Sequence, residues 1–130
     1  MINIKRLVVS LITAFTILTA SAQIQQFRTQ AFTYKQENYE WADWESSDIL
    51  VEFDFDTDIV AIYSPVPQYY KIISQPSSGY DSDGEGYITF SFIDQDGDRG
   101  TMKLMVRKDG RSEIYIIFSN VTWCYTVRSI

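Results

Sequence analysis

The chain has 130 residues, one cysteine and no histidine, and 17 acidic residues against 11 basic ones give a net charge of −6 at pH 7. The missing histidine excludes a Ser-His-Asp triad, a Cys-His pair and a single-chain zinc site of the usual His/Cys type, and the lone Cys124 excludes an internal disulfide. So acidic a chain is also poorly suited to nucleic acid or anionic lipid, both of which select cations.

Taken in chain order, the first feature is an export pattern. Lys5 and Arg6 precede an apolar run at residues 7–18 (LVVSLITAFTIL), and Ala20-Ser21-Ala22 is a small-x-small cleavage site before Gln23. That is the layout of a secretory signal peptide. A membrane span needs roughly 18 or more apolar residues; this run is shorter and carries Ser10, Thr13 and Thr16. No cysteine follows the cleavage site, which argues against a bacterial lipid anchor. The expectation is a signal peptide over residues 1–22 and a secreted domain over residues 23–130, periplasmic or extracellular, with no membrane insertion after cleavage. Cleavage leaves 108 of the 130 residues, one domain by length and enough for its own core. Without Lys5 and Arg6, nine basic residues face 17 acids, a net charge of −8.

Strands dominate the remainder. Residues 27–36 (FRTQAFTYKQ) and 39–45 (YEWADWE) read as strands. Residues 49–57 (ILVEFDFDT) set Ile49, Val51, Phe53 and Phe55 on one face and Glu52, Asp54 and Asp56 on the other, the period of a half-buried strand. Residues 58–64 follow so closely that the two form a hairpin turning at 56–58. Pro65 and Pro67 then break the chain before the strand at 68–74 (QYYKIIS). Residues 75–86 (QPSSGYDSDGEG) read as a polar loop. Alternation returns at 87–94 and 100–108, and Asp109-Gly110 is a hairpin signal. Residues 112–119 and 121–129 complete the series.

No segment holds a helical period over ten residues, and there is no linker, repeat or low-complexity tract. About eight short strands joined by short turns predict an all-β antiparallel meander, closed into a small barrel or rolled sheet, with a β-sandwich as the alternative. The expected core is Phe53, Phe55, Phe90, Phe92, Leu104, Ile116 and Trp123.

Several constellations invite a chemical reading. Asp94, Asp96 and Asp98 have the spacing of an EF-hand start, yet the glycine position of that loop is Arg99 and its bidentate glutamate would fall on Met105. Gln95-Asp96-Gly97-Asp98 is good turn chemistry between two strands, so the stretch is expected to be a hairpin tip, with weak calcium capture as the competing reading. Asp81, Asp83 and Glu85 form a second cluster, set apart from the first by eight strand residues, roughly 26 Å at ~3.3 Å each. Glu52, Asp54 and Asp56 share one strand face, and two of them could form an acid/base pair of the glycosidase type, with Glu52, Asp54 or Glu45 as the candidates for a hydrolase; next-but-one strand residues meet that spacing automatically, and a solvated face explains them. Residues 37–98 hold fifteen acids and one base, Lys71, whereas 99–111 hold Arg99, Lys103, Arg107, Lys108 and Arg111 against Asp109. This reads as an acidic surface with one basic hairpin, or as a partner site on that hairpin. Cys124 is expected to be a small packed side chain, with an intermolecular thiol as the alternative.

The aromatics are the better functional lead. As a strand, 39–45 would place Tyr39 and Trp41 on one face and Trp44 on the other, and Tyr69-Tyr70 repeats the two-sided pattern. Exposed indole or phenol rings suit sugars or protein partners; coverage of both faces by barrel curvature or a loop is the competing reading.

The stretches TASAQ, WADWESSDILVEFD, IVAIYSP, YKI, IDQDGDRGTMKL and IYIIFSNVTWCYTV resemble a group of short, uncharacterised secreted proteins of gut Bacteroidales and their crAss-like phages. The resemblance implies export and one small domain, and brings no activity, ligand or catalytic residue.

Two classes of function follow. One is a secreted non-catalytic binding module, probing an unknown protein or glycan through Tyr39, Trp41, Trp44, Tyr69 and Tyr70, as a monomer without cofactors. The other is a carboxylate-only glycan hydrolase; a calcium-assisted carbohydrate-binding module and a structural surface component stand behind these. A filled barrel favours the first, a deep acidic cleft the second.

Overall fold

The computed structural model describes residues 24–130; the expected signal peptide lies outside the described residues. These residues form ten strands and no helix: β1 (Ile24–Gln36), β2 (Glu45–Ser46), β3 (Leu50–Asp54), β4 (Ile59–Ile62), β5 (Gln68–Ile72), β6 (Ser77–Tyr80), β7 (Gly86–Asp94), β8 (Arg99–Val106), β9 (Ser112–Ile117) and β10 (Val121–Ser129). Eight of them run in the order β10-β9-β8-β7-β5-β4-β3-β1, and β10 pairs back onto β1 from Phe27↔Ser129 to Gln36↔Val121. The sheet is thus a closed antiparallel barrel, and the sandwich alternative is set aside. Closure leaves the barrel proper no open edge, which is how a meander satisfies its outermost strands.

The barrel is filled by its own side chains. Phe27, Val51, Phe53, Val60, Phe92 and Met102 are among the residues at its centre, all almost fully buried. Rings pack edge to face there, Phe27 on Phe53 at 5.6 Å and Phe53 on Phe90 at 6.3 Å between centroids. Five of the seven expected core residues are buried, while Phe55 and Trp123 are half-buried and pack against the core from its margins. Alternation in β7 delivers Ile88, Phe90 and Phe92 inward because successive strand side chains face opposite ways. Phe92 lies opposite Gly100 in the β7–β8 pair. A Cβ at Gly100 would drive into the Ile117 carbonyl oxygen and approach the Phe92 ring at 2.6 Å, so the glycine makes room for Phe92 to reach Phe118.

Three hairpin tips share one construction. In residues 81–85, 94–98 and 107–111 the N–H of the first residue donates to the carbonyl of the fifth, and the glycine N–H donates back to the carbonyl of the first. Gly84, Gly97 and Gly110 take φ of +80°, +86° and +90°. This is a type I turn closed by a glycine bulge. The chain therefore carries an Asp-Gly turn every 13 residues, a repeat that the sequence reading did not recognise. Asp109-Gly110 closes a three-residue loop rather than the two-residue one its pattern suggested.

Two segments differ from expectation. Residues 75–86 are not wholly loop, because Ser77–Tyr80 pairs with β7 from Ser77↔Thr89 to Tyr80↔Gly86. Its Ser-Ser-Gly-Tyr sequence has no alternation to announce a strand; the β7 backbone supplies the pairing. Residues 39–44 are not a strand. After β1 the chain reverses through Asn38 at φ 67° and returns irregularly along β1, pairing as β2 only at Glu45–Ser46.

Candidate functional site

The outer face of the barrel carries the candidate site. Register aligns Lys103 on β8, Tyr115 on β9, Cys124 on β10 and Thr33 on β1 in one row across four strands. Three interstrand steps of about 4.8 Å make this row roughly 14 Å long. The returning segment after β1 folds over its Thr33 end. Ala42 N–H donates to the Tyr34 carbonyl at 2.8 Å, and Thr33 Oγ1 donates to the Ala42 carbonyl at 2.6 Å. Glu37 N–H donates to the Asn120 carbonyl at 3.0 Å and ties the base of the segment to the β9–β10 turn.

This clamp sets Trp41 and Trp44 beside Thr33, Tyr115 and Cys124, and the five line a groove of ≈ 330 Å³. The indoles are 45% and 52% exposed. On the other side of Tyr115 lies a second depression of ≈ 230 Å³ lined by Asp81, Lys103, Met105, Arg107, Tyr115 and Ile117. Tyr115 belongs to both, so one end of the row is aromatic and the other is polar and charged.

The polar end is held by a partly buried network. Arg107 donates from Nη1 to Glu85 at 2.8 Å, from Nε to Glu113 at 2.7 Å and from Nη2 to the Tyr115 hydroxyl at 3.1 Å. Tyr115 in turn donates to Glu113 at 3.1 Å. The bond from Arg107, with that from the Lys108 N–H, holds the Glu85 carboxyl below its ordinary value. Burial, chiefly, raises the Tyr115 phenol and pushes the Cys124 thiol up to about 11, so Cys124 stays a neutral packed thiol at pH 7. Lys103 Nζ sits 4.9 Å from the Tyr87 ring centroid.

The structure separates the five aromatics singled out in the sequence. Trp41 and Trp44 share one groove instead of opposite strand faces, because their segment is not a strand. Tyr39 projects to solvent and does not line the groove. Tyr69 is exposed on the far side of the barrel, edge to face with Tyr63 at 6.4 Å. Tyr70 is core: it points inward, is 6% exposed, and packs on Phe92 at 4.9 Å. Neighbouring strand residues face opposite ways, so Tyr69 and Tyr70 cannot both meet one ligand.

The carboxylates are engaged locally. Each acidic cluster, Asp81/Asp83/Glu85 and Asp94/Asp96/Asp98, brings three oxygens within 4.8 Å of one another. In each, one oxygen of the first aspartate accepts two backbone N–H groups: Asp94 from Asp96 and Asp98 at 2.9 and 2.8 Å, and Asp81 from Asp83 and Glu85, both at 2.9 Å. The bond from the Glu85 N–H is the main cause that holds the Asp81 carboxyl below its ordinary value. The clusters cap opposite ends of β7. Glu52 accepts from Gln26 at 2.6 Å and from the Tyr63 hydroxyl at 3.1 Å, and Asp54 caps its own turn through the Asp56 and Thr57 N–H groups. Glu45 is exposed on β2. None of these three lines the groove.

Tyr115, Thr33 and Cys124 escaped the sequence reading as site residues, and Lys103 and Arg107 entered it only as members of the basic hairpin. Alternation marks 103 and 115 as outward-facing, but only strand register aligns them. Compared with protein-family models, curated proteins and solved structures, the chain matches none.

Proposed function

We propose that the protein is a secreted, non-catalytic binding module that holds a glycan or protein segment in the Trp41–Trp44 groove. The observation that carries this reading is the pairing of two exposed indoles, on a hydrogen-bonded segment, with a polar row on the same face. Exposed large aromatics gathered in a groove favour a partner, and a pinned segment loses little conformational freedom on binding. The filled barrel supports the same reading, since it leaves the outer face as the place for a ligand. The hydrolase alternative lacks such support: Glu52 and Asp54 are tied to local partners, and neither they nor Glu45 lines the groove.

The test is a fluorescence titration of the purified protein against glycan and peptide libraries, repeated with the Trp41→Ala/Trp44→Ala variant. Expected is a ligand whose binding the double variant loses at unchanged melting temperature. If every ligand found binds the variant equally well, the groove is not the site. Export is checked separately, by mass spectrometry of the secreted fraction, which should find Gln23 first; full-length chain beginning at Met1 there would refute it.

A further inference from the structure

We propose that the occupant of the groove is an uncharged oligosaccharide, lying across the strands with one sugar face on Trp41 and Trp44 and its farther hydroxyls against Tyr115, Asp81 and Lys103. This rests on the binding-module reading and adds the class of ligand.

The two ends of the groove ask for different chemistry in one molecule. The indole end offers flat apolar area, which suits the C–H face of a pyranose ring. The other end offers an ammonium donor on Lys103, a carboxylate acceptor on Asp81 and the one lone pair that the Tyr115 phenol keeps after donating to Glu113 and accepting from Arg107. A hydroxyl both donates and accepts, so a polyol can meet all three. At roughly 14 Å across four strands the row is longer than a single pyranose ring, which calls for more than one sugar.

The charges argue against an acidic ligand. Arg107 already spends its guanidinium on Glu85, Glu113 and Tyr115. Counting the charged groups at this end, Asp81, Asp83, Glu85 and Glu113 outnumber Lys103, Arg107 and Lys108 by one, Lys108 lying beside Gly84. The region has no surplus cation to receive a uronate or sulfate, and a chain of net charge −6 repels polyanions at longer range. The backbone argues against a peptide. Extended peptides gain affinity by hydrogen bonding along a free strand edge. Here the floor residues lie within paired strands: Lys103 between Thr89 and Tyr115, and Cys124 between Tyr115 and Thr33.

The experiment is calorimetry and tryptophan fluorescence of the purified protein with neutral tetrasaccharides (β-1,4- and β-1,3-glucan, α-1,4-glucan, β-1,4-mannan and β-1,4-xylan), with tetragalacturonate and a chondroitin sulfate tetrasaccharide, and with an unstructured peptide library. At least one neutral tetrasaccharide should bind, with affinity changing less than about twofold between roughly 0.02 and 0.5 M salt, because screening acts only on charged pairs. Trp41→Ala and Trp44→Ala should each weaken it by about tenfold or more, as central aromatic anchors do, at unchanged melting temperature. If only an acidic tetrasaccharide or a peptide binds, or if affinity falls steeply with salt, and the tryptophan variants lose that binding, the ligand class is wrong and the groove stands. If nothing binds, or binding survives both substitutions, this inference and the reading beneath it fall together.

Discussion

Arg107 reaches from the β8–β9 tip to Glu85 on the β6–β7 tip, Nη1 to Oε1 at 2.8 Å, so one guanidinium fastens two hairpins 22 residues apart in sequence. The same group satisfies Glu113, whose side chain is 8% exposed. Arg107→Ala should leave that carboxylate only the Tyr115 hydroxyl as a donor and cost about 1–3 kcal/mol, the penalty of an under-satisfied buried acceptor. A denaturant titration checks it; a change within error would show that water replaces the arginine.

The same pair sets an acid dependence. Glu85 has its carboxyl lowered from 4.5, chiefly by Arg107. A depressed carboxyl contributes stability above its unfolded value, and that contribution is lost as pH falls through the folded one. Stability should therefore decline below 4.5, and Glu85→Gln should flatten the decline. Parallel melting curves of the variant and the parent across the acid range test this; identical acid limbs would count against it.

Phe90 lies at the centre of the barrel, edge to face with Phe53. Phe90→Ala should cost about 3–5 kcal/mol, the range of large core truncations. A loss below about 1 kcal/mol would mean that the barrel refills the space.

Gly100 has no room for a side chain. Gly100→Ala must push both the Ile117 carbonyl and the Phe92 ring, and overpacking of this kind costs about 1–3 kcal/mol. Pairing it with Phe92→Leu should recover part of the loss. A fully stable single variant would show that β8 shifts freely.

Asp94 is expected to act as a turn cap. Asp94→Ala removes an acceptor from two N–H groups and should cost about 1 kcal/mol, whereas Asp96→Asn should be neutral. Sub-millimolar calcium should leave the melting midpoint unchanged. A rise of several degrees that Asp96→Asn abolishes would make the tip a metal site, since binding at about a hundred times the dissociation constant adds roughly 2.7 kcal/mol.

The residues alone settled what alternation encodes. Residues 87–94 and 100–106 announced their strands and faces because each side chain's burial repeats every second residue, a local property. Composition alone also removed histidine and disulfide chemistry. Strand pairing decided the rest. Ser77–Tyr80 is a strand because β7 offers it hydrogen bonds. Tyr70 is core and Tyr69 is surface because closure of the barrel gives β5 one inward face. Trp41 and Trp44 meet Tyr115 and Cys124 only because Asn38 turns the chain, Ala42 is tied to β1, and β10 pairs back on β1 in one register. Those contacts join residues some 70 to 90 positions apart. No local period carries that information; it appears only when the sheet closes and the register of every strand is set at once.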